Sequence, residues 1–398
     1  MNAHLRISVQ FIRVKFEGRM LMMMMSTAIK HDISMKGVAG IVLLLLSWSV
    51  GVTSQSNSSR AVFILGDSLV DSGNNNYLAT VARADFSPYG IDSPNRRATG
   101  RFSNAMNIAD LTCEALGVEP VVPYLNPSIG IPSNLLRGAN FASAGVGILN
   151  DTGLQFGPFI LRMPLQFEYF REYQDRVATI IGRSATNELV ANAVVSITLG
   201  GNDYVNNYYF LPVTVRSVQF PNVADYNNFI VSEYKKILAR LYELGARTIV
   251  VAAAGPLGCV PAQRALRTLT GECDATLQSV AVLFNTGVRN IVDELNSQYG
   301  ATIYTFADTF NMTLNIVNNP GAYGFETAQY ACCGQGRFNA IGTCTPVSPV
   351  CPNRTAFFWW DEYHPTERAN RFIVNFFFNG GTSYMYPVNL RTMLKIND

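Results

Sequence analysis

Histidine is scarce in this sequence, and the one histidine outside the first 54 residues lies close to a carboxylate. His4 and His31 fall in that N-terminal part, and His364 follows Asp361 by three residues. In a turn, this spacing lets the carboxylate accept a hydrogen bond from the imidazole Nδ1–H, which fixes the tautomer and stabilises the imidazolium. The pair is a candidate catalytic base with its orienting carboxylate. The alternative is structural: His364 caps a helix that starts at Pro365, and Asp361 only stabilises the turn.

Ser68 is the candidate nucleophile, because it follows a short apolar segment. Residues 61–65 are rich in strand-forming side chains, and Gly66 interrupts the run before Asp67 and Ser68. Ligands of open parallel sheets bind beyond the carboxyl ends of the strands, where a serine could attack them. Gly-Asp-Ser is also an ordinary turn tripeptide, so this motif taken alone leaves both interpretations open.

Two further segments could donate hydrogen bonds to the oxyanion that forms when a nucleophile attacks a carbonyl. Asn202 follows an apolar, strand-like run, so its side-chain amide is one candidate donor. The small residues of segment 138–147 allow close backbone approach, and Gly145 could donate its N–H, as could Ser68. The alternatives are a turn asparagine and packing glycines. Gly138 and Gly147, at the ends of the segment, compete with Gly145 for the role.

The same residue counts disfavour metal chemistry. A catalytic zinc site normally uses two or three histidines, and only His364 is available after the leader. A cluster of four cysteines lacks a neighbouring histidine and regular Cys-x-x-Cys pairs, so it does not suit zinc. We therefore expect neither a metal nor a cofactor. The chain has 30 Lys and Arg against 28 Asp and Glu, and this balance gives no indication of nucleic-acid binding.

Apolar runs and helical patterns alternate from about residue 58 to the end of the chain. Strands are predicted at 61–65, 193–199, 248–253 and 302–306, and helices at 105–116, 164–181, 225–244, 277–299 and 365–378. This alternation is typical of a parallel sheet covered by helices on both faces. The chain has 398 residues, 48% of them hydrophobic, with no repeat, linker or second core. The sequence therefore predicts a single α/β domain over residues 58–398.

Residues 1–54 have the composition of a secretory signal peptide with a long basic leader. Six Lys or Arg residues precede the apolar run at 37–52, and small residues follow it. Translation could also start at Met20 or Met35. The run is shorter than the ~20 residues of a membrane span, so we expect cleavage near Ser54 and no stable membrane anchor. The predicted location is extracellular, in the cell wall or apoplast if the source is a plant.

Secretion favours disulfides between cysteines and glycans on asparagines. Cys259 and Cys273 flank one short loop, and the remaining loop cysteines are Cys332, Cys333, Cys344 and Cys351. Six cysteines allow three bridges, whose pairing the sequence leaves open, and Cys113 is expected to be a buried free thiol. Four Asn-x-Ser/Thr sequons fit a secreted glycoprotein: Asn57, Asn150, Asn311 and Asn353.

Taken together, the serine, glycine, asparagine and Asp-x-x-His signals resemble the SGNH hydrolases, and more narrowly the plant-type GDSL esterases/lipases. The matching blocks are residues 66–76, 99–104, 140–145, 201–203, 332–334 and 361–365, and the resemblance extends over nearly all of the predicted domain. It departs from the usual family pattern at Leu65, at Arg96 and Arg97, and at Ala105. None of these is a candidate catalytic position, although the two arginines could alter the mouth of the site.

The resemblance implies a flavodoxin-like, three-layer α/β/α fold and assigns a role to each candidate. Ser68 would be the nucleophile, His364 the base, Asp361 its orienting carboxylate, and Gly145 and Asn202 the oxyanion donors. The implied activity is hydrolysis of a small-molecule or lipid ester. The alternatives are an acetylesterase or acyltransferase acting on an acylated cell-wall polymer, and an inactive binding protein on the same fold. Aromatic residues after Asn202 could line an acyl groove or a sugar platform, but core packing is the simpler interpretation: Tyr204, Tyr208, Tyr209 and Phe210.

Overall fold

The computed structural model describes residues 60–396, together with the backbone of residues 9–16 and 19–26. The two N-terminal segments are the strands β1 (Val9–Phe16) and β2 (Arg19–Ser26), which pair antiparallel. The chain divides into two compact units, residues 1–58 and 59–398. The apolar run at 37–52 and the expected cleavage position lie outside the described residues, so the signal peptide stays a prediction.

A six-stranded sheet forms the centre of the second unit. The strands are β3 (Val62–Gly66), β4 (Gly138–Asn140), β5 (Val194–Thr198), β6 (Ile249–Ala252) and β7 (Tyr304–Ala307), with β10 (Met385–Tyr386) at one edge. Their order across the sheet is β4-β3-β5-β6-β7-β10. The first five strands are parallel, in the flavodoxin-like order 2-1-3-4-5, which confirms the predicted α/β fold. The edge strand β10 is antiparallel to β7, a feature that the sequence did not predict.

A second, two-stranded parallel sheet pairs β8 (Thr327–Ala331) with β9 (Phe357–Trp359). The longer helices are α1 (Ile108–Ala115), α3 (Met163–Ile181), α4 (Arg183–Asn192), α7 (Val223–Glu243), α9 (Ala275–Tyr299), α10 (Thr309–Asn318) and α11 (Glu367–Asn379). The shorter ones are α2 (Pro132–Leu135), α5 (Gly201–Asp203), α6 (Val215–Gln219), α8 (Pro261–Arg267) and α12 (Leu390–Leu394). Among the described residues, none of the helices is both long and apolar enough to cross a bilayer.

The strands alternate between two cores, because successive side chains of a strand point to opposite faces of a sheet. Phe63 and Leu65 of β3 pack in one core with α3, α7 and α9. Val62 and Ile64 pack in the other core with α1, α11 and α12. The sheet is therefore covered on both faces, as the alternation of strands and helices predicted.

Three disulfides join the six loop cysteines, and the structure supplies the pairing that the sequence left open. Cys259 bonds Cys273, Cys332 bonds Cys351, and Cys333 bonds Cys344. Cys113 is a buried free thiol on α1, as expected. The sequons at Asn150, Asn311 and Asn353 are exposed, and Asn57 lies outside the described residues.

Candidate active site

The candidate residues converge at the carboxyl ends of β3, β4 and β5. The chain passes from β3 to β4 on one side and later places β5 on the other side of β3, which creates a topological switch point. Loops diverge at such a point and leave a crevice beyond the strand ends. Ser68 follows β3, Gly145 follows β4 and Asn202 follows β5, so three separate loops meet around this crevice.

A tight backbone contact positions the Ser68 turn. Gly66 has φ +133°, and a Cβ at this position would lie 2.3 Å from the Thr198 carbonyl oxygen, so only glycine fits beside β5. The buried Gln166 side chain accepts from the Gly66 N–H and donates to the Gly66 carbonyl, each at 2.9 Å. The Asp67 N–H donates to Thr198. The chain therefore turns directly after the strand and holds Ser68 half-buried at the crevice.

Ser68, His364 and Asp361 form one hydrogen-bonded chain. Ser68 Oγ lies 2.8 Å from His364 Nε2, and Asp361 Oδ1 and Oδ2 lie 2.8 and 2.9 Å from His364 Nδ1. Because a carboxylate only accepts, Nδ1 carries the proton and the neutral ring presents its lone pair at Nε2 to the serine. Three of the five residues singled out in the sequence are thus in direct contact.

The backbone of the turn and the Tyr89 hydroxyl bind both oxygens of Asp361. The backbone N–H groups of Tyr363 and His364 donate to Oδ1 at 2.9 and 2.7 Å, and the Tyr89 hydroxyl donates to Oδ2 at 2.8 Å. The ring of Phe102 packs against the imidazole with the ring centroids 4.8 Å apart. These contacts leave His364 and Asp361 little freedom to rotate away from the serine.

The pKa values of the pair follow from these contacts. Burial by itself lowers the pKa of His364, but the charge and hydrogen bond of Asp361, with smaller contributions from Glu362 and Asp67, raise it above 6.5. Burial raises the pKa of Asp361, but the His364 charge and the hydrogen bonds outweigh it and hold this pKa below the usual range. The carboxylate is therefore charged when the imidazole is neutral, as a base and its orienting group require.

Gly145 and Asn202 border the same cavity as Ser68. Neither the Ser68 N–H nor the Gly145 N–H has an acceptor among the described residues, so both are available to a ligand. Gly145 has φ +89°, and a Cβ there would lie 2.5 Å from the Phe156 ring. The Asn202 amide donates one N–H to the Val146 carbonyl at 2.8 Å and accepts from Asn206 Nδ2 at 2.7 Å. This leaves its second N–H for a ligand.

Two buried carboxylates hold the Gly145 loop on either side. Asp71, in the loop after β3, accepts from the Ala144 N–H at 3.2 Å. Asp203, next to Asn202, accepts from the Ile148 and Leu149 N–H groups at 2.8 and 3.0 Å. Burial raises the pKa of both Asp71 and Asp203 to about 6. Each carboxylate therefore couples the Gly145 loop to one of the other two loops of the site.

The competing glycines have other surroundings. Gly138 lies in β4, where a Cβ would meet the Val62 carbonyl, and Gly147 packs directly against the Asp203 carboxylate. Neither borders the cavity beside Ser68, and Gly145 does. Gly145 is therefore the candidate donor that the described structure leaves beside Ser68.

Sequence comparison places this site in a known family. The family model described as GDSL-like Lipase/Acylhydrolase matches residues 62–377. GDSL esterase/lipase LTL1 of Arabidopsis thaliana is 50% identical over 355 residues, covering 89% of this chain and 96% of the relative. GDSL esterase/lipase At5g18430 of the same plant is 52% identical over 339 residues, covering 85% and 93%. GDSL esterase/lipase At4g28780, also from that plant, is 48% identical over 374 residues, covering 94% and 99%.

The chain belongs to the GDSL-like lipase/acylhydrolase family. It is a hydrolase that acts on ester bonds. The matched region begins at the first residue of β3 and ends within α11, so it includes all five candidate residues. The plant-type GDSL resemblance read from the motifs is thereby confirmed.

In this GDSL-family chain, the crevice at Ser68 opens into a cavity of about 390 Å³. Much of its wall is apolar, which suits a hydrophobic substrate group: Val81, Ala82, Phe86, Phe156, Val205, Pro256, Leu257, Val260 and Ile373. Tyr204 and Tyr208 are buried in the core, and neither they nor Tyr209 and Phe210 border the cavity. Core packing is therefore the correct interpretation for Tyr204 and Tyr208.

Several residues of the site were missed from the sequence. Tyr89 and Asn206 contact candidate residues, and Asp203 binds the backbone of the loop that carries Gly145. Each sits within or near a turn where its type has an ordinary structural explanation. Glu362 borders the cavity beside Asp361 and accepts from the Cys344 N–H at 3.3 Å. Burial, and then the Asp361 charge, raise the pKa of Glu362 to about 8. Among the residues described here, no cluster of three or more His, Cys, Asp or Glu side chains could bind a metal.

Proposed function

We propose that this GDSL hydrolase cleaves carboxylic esters through a covalent acyl-enzyme on Ser68, with His364 as general base and Asp361 as its orienting carboxylate. The observation that carries the proposal is the unbroken hydrogen-bonded chain from Ser68 Oγ through the imidazole to Asp361. Activation of a serine by an adjacent base that is itself oriented by a third group is the arrangement that nucleophilic catalysis requires.

In the first half-reaction, Ser68 Oγ bonds to the ester carbonyl carbon while its proton moves to His364 Nε2. The carbonyl electron pair moves to oxygen, and the N–H groups of Ser68 and Gly145 and the free amide N–H of Asn202 donate to that oxyanion. Collapse of the tetrahedral intermediate breaks the bond to the alcohol oxygen. The imidazolium gives its proton to the departing alcohol, which leaves Ser68 acylated.

In the second half-reaction, a water molecule attacks the acyl carbon and transfers a proton to the neutral His364. The same donors stabilise the second oxyanion. The bond to Ser68 Oγ then breaks, the serine regains its proton from His364, and the carboxylic acid is released. Each proton passes through Nε2, while Asp361 stays ionised throughout.

The apolar wall of the cavity supports an ester with a hydrophobic acyl or alcohol group as the substrate. The test is a panel of p-nitrophenyl esters of increasing chain length, measured beside acetylated polysaccharide. We expect turnover of the soluble esters and a loss of about 10⁴-fold or more in kcat for Ser68→Ala. The variant should keep the wild-type Tm and circular dichroism spectrum. Retained turnover in folded Ser68→Ala would show that another residue is the nucleophile.

We also infer that the protein acts outside the cell. Three disulfides and three exposed sequons support an oxidising, glycosylating export route. N-terminal sequencing of the protein from the culture medium should find a start near Ser54, and glycosidase treatment should lower its apparent mass. An uncleaved N-terminus on protein retained in the cytosol would contradict the inference.

A further inference from the structure

Exposed apolar side chains concentrate beside the opening of the catalytic cavity. Nine of the eighteen large hydrophobic side chains that are exposed among the described residues belong to three short segments, 77–81, 154–159 and 210–218. We call these three segments the mouth rim. Val213, Val215 and Val218 are 68%, 79% and 66% exposed. Contiguous apolar patches on a protein surface mark sites of interaction, whereas isolated exposed hydrophobic residues do not.

Hydrogen bonds join the first segment to the second, and the second segment to Asn206, which lies four residues before the third. The Val81 N–H donates to the Phe156 carbonyl at 3.1 Å, and Gln155 Nε2 donates to the Asn206 carbonyl at 2.9 Å. Val81, Phe156 and Asn206 all border the cavity beside Ser68. Residues 210–218 begin two positions after the helical turn Tyr204–Tyr208, and Arg216 pairs with Asp151, three residues before the second segment. The first two segments therefore border the cavity, and the third continues the apolar surface beside it.

The mouth rim is almost free of charge. Its 20 residues include one side chain that is charged at neutral pH, Arg216, which is paired with Asp151 at 2.7 Å. Without an unpaired Lys or Arg, such a surface has no electrostatic attraction to anionic lipids. No charged side chain has to give up its hydration when the surface leaves water. Its composition therefore matches an uncharged, apolar surface.

We propose that the mouth rim docks the enzyme onto the surface of an aggregated, uncharged ester phase, such as a droplet of neutral lipid. The inference deepens the proposed ester hydrolysis and depends on it. Docking would hold the cavity opening against the phase from which single ester molecules enter. A second copy of this chain is a poorer occupant, because it would cover the opening and block the path of the substrate to Ser68.

The experiment compares one ester in two physical states. Hydrolysis of tributyrin is measured below its solubility and then above it, where droplets form, for the wild type and for the double variant Val213→Asp/Val215→Asp. Neither valine borders the cavity. We expect a rise in wild-type rate when droplets appear, a loss of about tenfold or more in the variant on droplets, and an unchanged rate on dissolved ester.

A charge-matched control carries the same two new carboxylates elsewhere. Ile180 and Val282 are 45% and 48% exposed, on α3 and α9; neither borders the cavity, and neither belongs to the mouth rim. Gln166 of α3 contacts the catalytic edge at Gly66, whereas Gln174 contacts Leu244, shortly before β6 begins. Ile180 lies beyond Gln174 and thus at the opposite edge of the sheet. Ile180→Asp/Val282→Asp should behave as wild type on both forms of tributyrin.

Docking is also measured without turnover, by flotation of Ser68→Ala with triolein droplets coated with phosphatidylcholine. We expect flotation to be lost when the two rim aspartates are added. An equal rate loss on dissolved and droplet ester, or unchanged flotation, would overturn the proposal. The proposal would also be overturned if light scattering showed that the wild type is a dimer, that the rim variant is a monomer, and that the variant keeps its activity on droplets. If the wild type hydrolyses no ester in either state, the proposed function fails, and flotation still tests docking.

Discussion

The two halves of the candidate active site are built in different ways. His364 and Asp361 come from a single turn, three residues apart, and the backbone N–H groups of that turn bind the carboxylate. The candidate oxyanion donors come from three loops that follow three different strands. Ser68 and Asn202 are 134 positions apart in the sequence, with Gly145 between them. The first half is local in the chain, and the second exists only once the sheet has formed.

This difference decides what supports each half. The His364–Asp361 turn is stabilised from within, and Tyr89 adds one contact from outside. The oxyanion loops cannot be stabilised in that way, and the buried carboxylates Asp71 and Asp203 connect them instead. Substitutions in the first half should therefore alter the pH dependence of the reaction. Substitutions in the second half should lower kcat and leave the pH dependence in place.

Asp361→Asn should give the largest effect within this comparison. The amide can present its N–H₂ to Nδ1 and favour the wrong tautomer. The same Asp-to-Asn exchange in the catalytic triad of a serine protease lowers kcat by about 10⁴. The wild-type rate should rise with pH as His364 loses its proton, with a midpoint above 6.5, since Asp361 raises the pKa of the imidazole against the effect of burial.

In the variant, burial still lowers the pKa of His364 while the carboxylate no longer raises it. The acidic limb of kcat/KM should therefore move to lower pH. The measurement is a pH–rate profile of both proteins on a soluble p-nitrophenyl ester. A variant whose limb coincides with that of the wild type would show that Asp361 does not set the protonation of the base.

Asn202→Ala should give the next largest effect and act on the other half of the site. Loss of one oxyanion donor costs about 10²–10³ in kcat, with little change in KM, because the bond forms fully only in the transition state. Asn206→Ala should lower kcat less, because it frees the Asn202 amide to rotate without removing it. The midpoint of the acidic limb should match that of the wild type in both variants. A raised KM with unchanged kcat would instead make Asn202 a ground-state binding residue.

The contrast between the halves also explains what the sequence could predict. Asp361 and His364 are recognisable because their spacing alone brings them together. Ser68 and Asn202 are recognisable because each follows a clear strand. The selection of Gly145 over Gly138 and Gly147 needed the structure, since all three lie in one run of small residues and only the fold decides which borders the cavity.

The same reasoning applies to the fold. The strands β3, β5, β6 and β7 are short apolar runs with clear ends, and each lies within about two residues of its predicted position. The strands β4 and β10 have three and two residues, which is too short for an alternating pattern to be visible. The two disulfides among four neighbouring cysteines depend on loop geometry, so their pairing was not readable.

Asp203→Asn should give a smaller effect, through the position of the Gly145 loop. The amide group would direct N–H₂ toward a backbone N–H or the Thr152 hydroxyl, all of which now donate to the carboxylate. We expect kcat to fall about tenfold, less than for loss of a donor itself. Burial raises the pKa of Asp203 to about 6, so the neutral amide also removes an unfavourably buried charge, which offsets part of the stability lost with the hydrogen bonds, and we expect only a small fall in Tm. A parallel loss of Tm and activity would indicate a purely structural role.

Tyr89→Phe should give the smallest effect, and it acts on the first half of the site. The hydroxyl donates to Asp361 Oδ2 and so withdraws part of the acceptor capacity that the carboxylate offers to His364. Without it, the carboxylate interacts more strongly with the imidazolium, the pKa of His364 rises further, and the acidic limb moves to higher pH by less than about one unit. The rate on the plateau above that limb should fall about threefold, since one hydrogen bond to a charged group no longer fixes the orientation of Asp361.

Tyr173→Phe is the matched control, because its hydroxyl donates to the buried Leu135 carbonyl away from the cavity. That variant should lose stability and keep the wild-type pH profile. A limb that moves in Tyr173→Phe as well, or that moves to lower pH in Tyr89→Phe, would show that the Tyr89 hydroxyl does not act through Asp361.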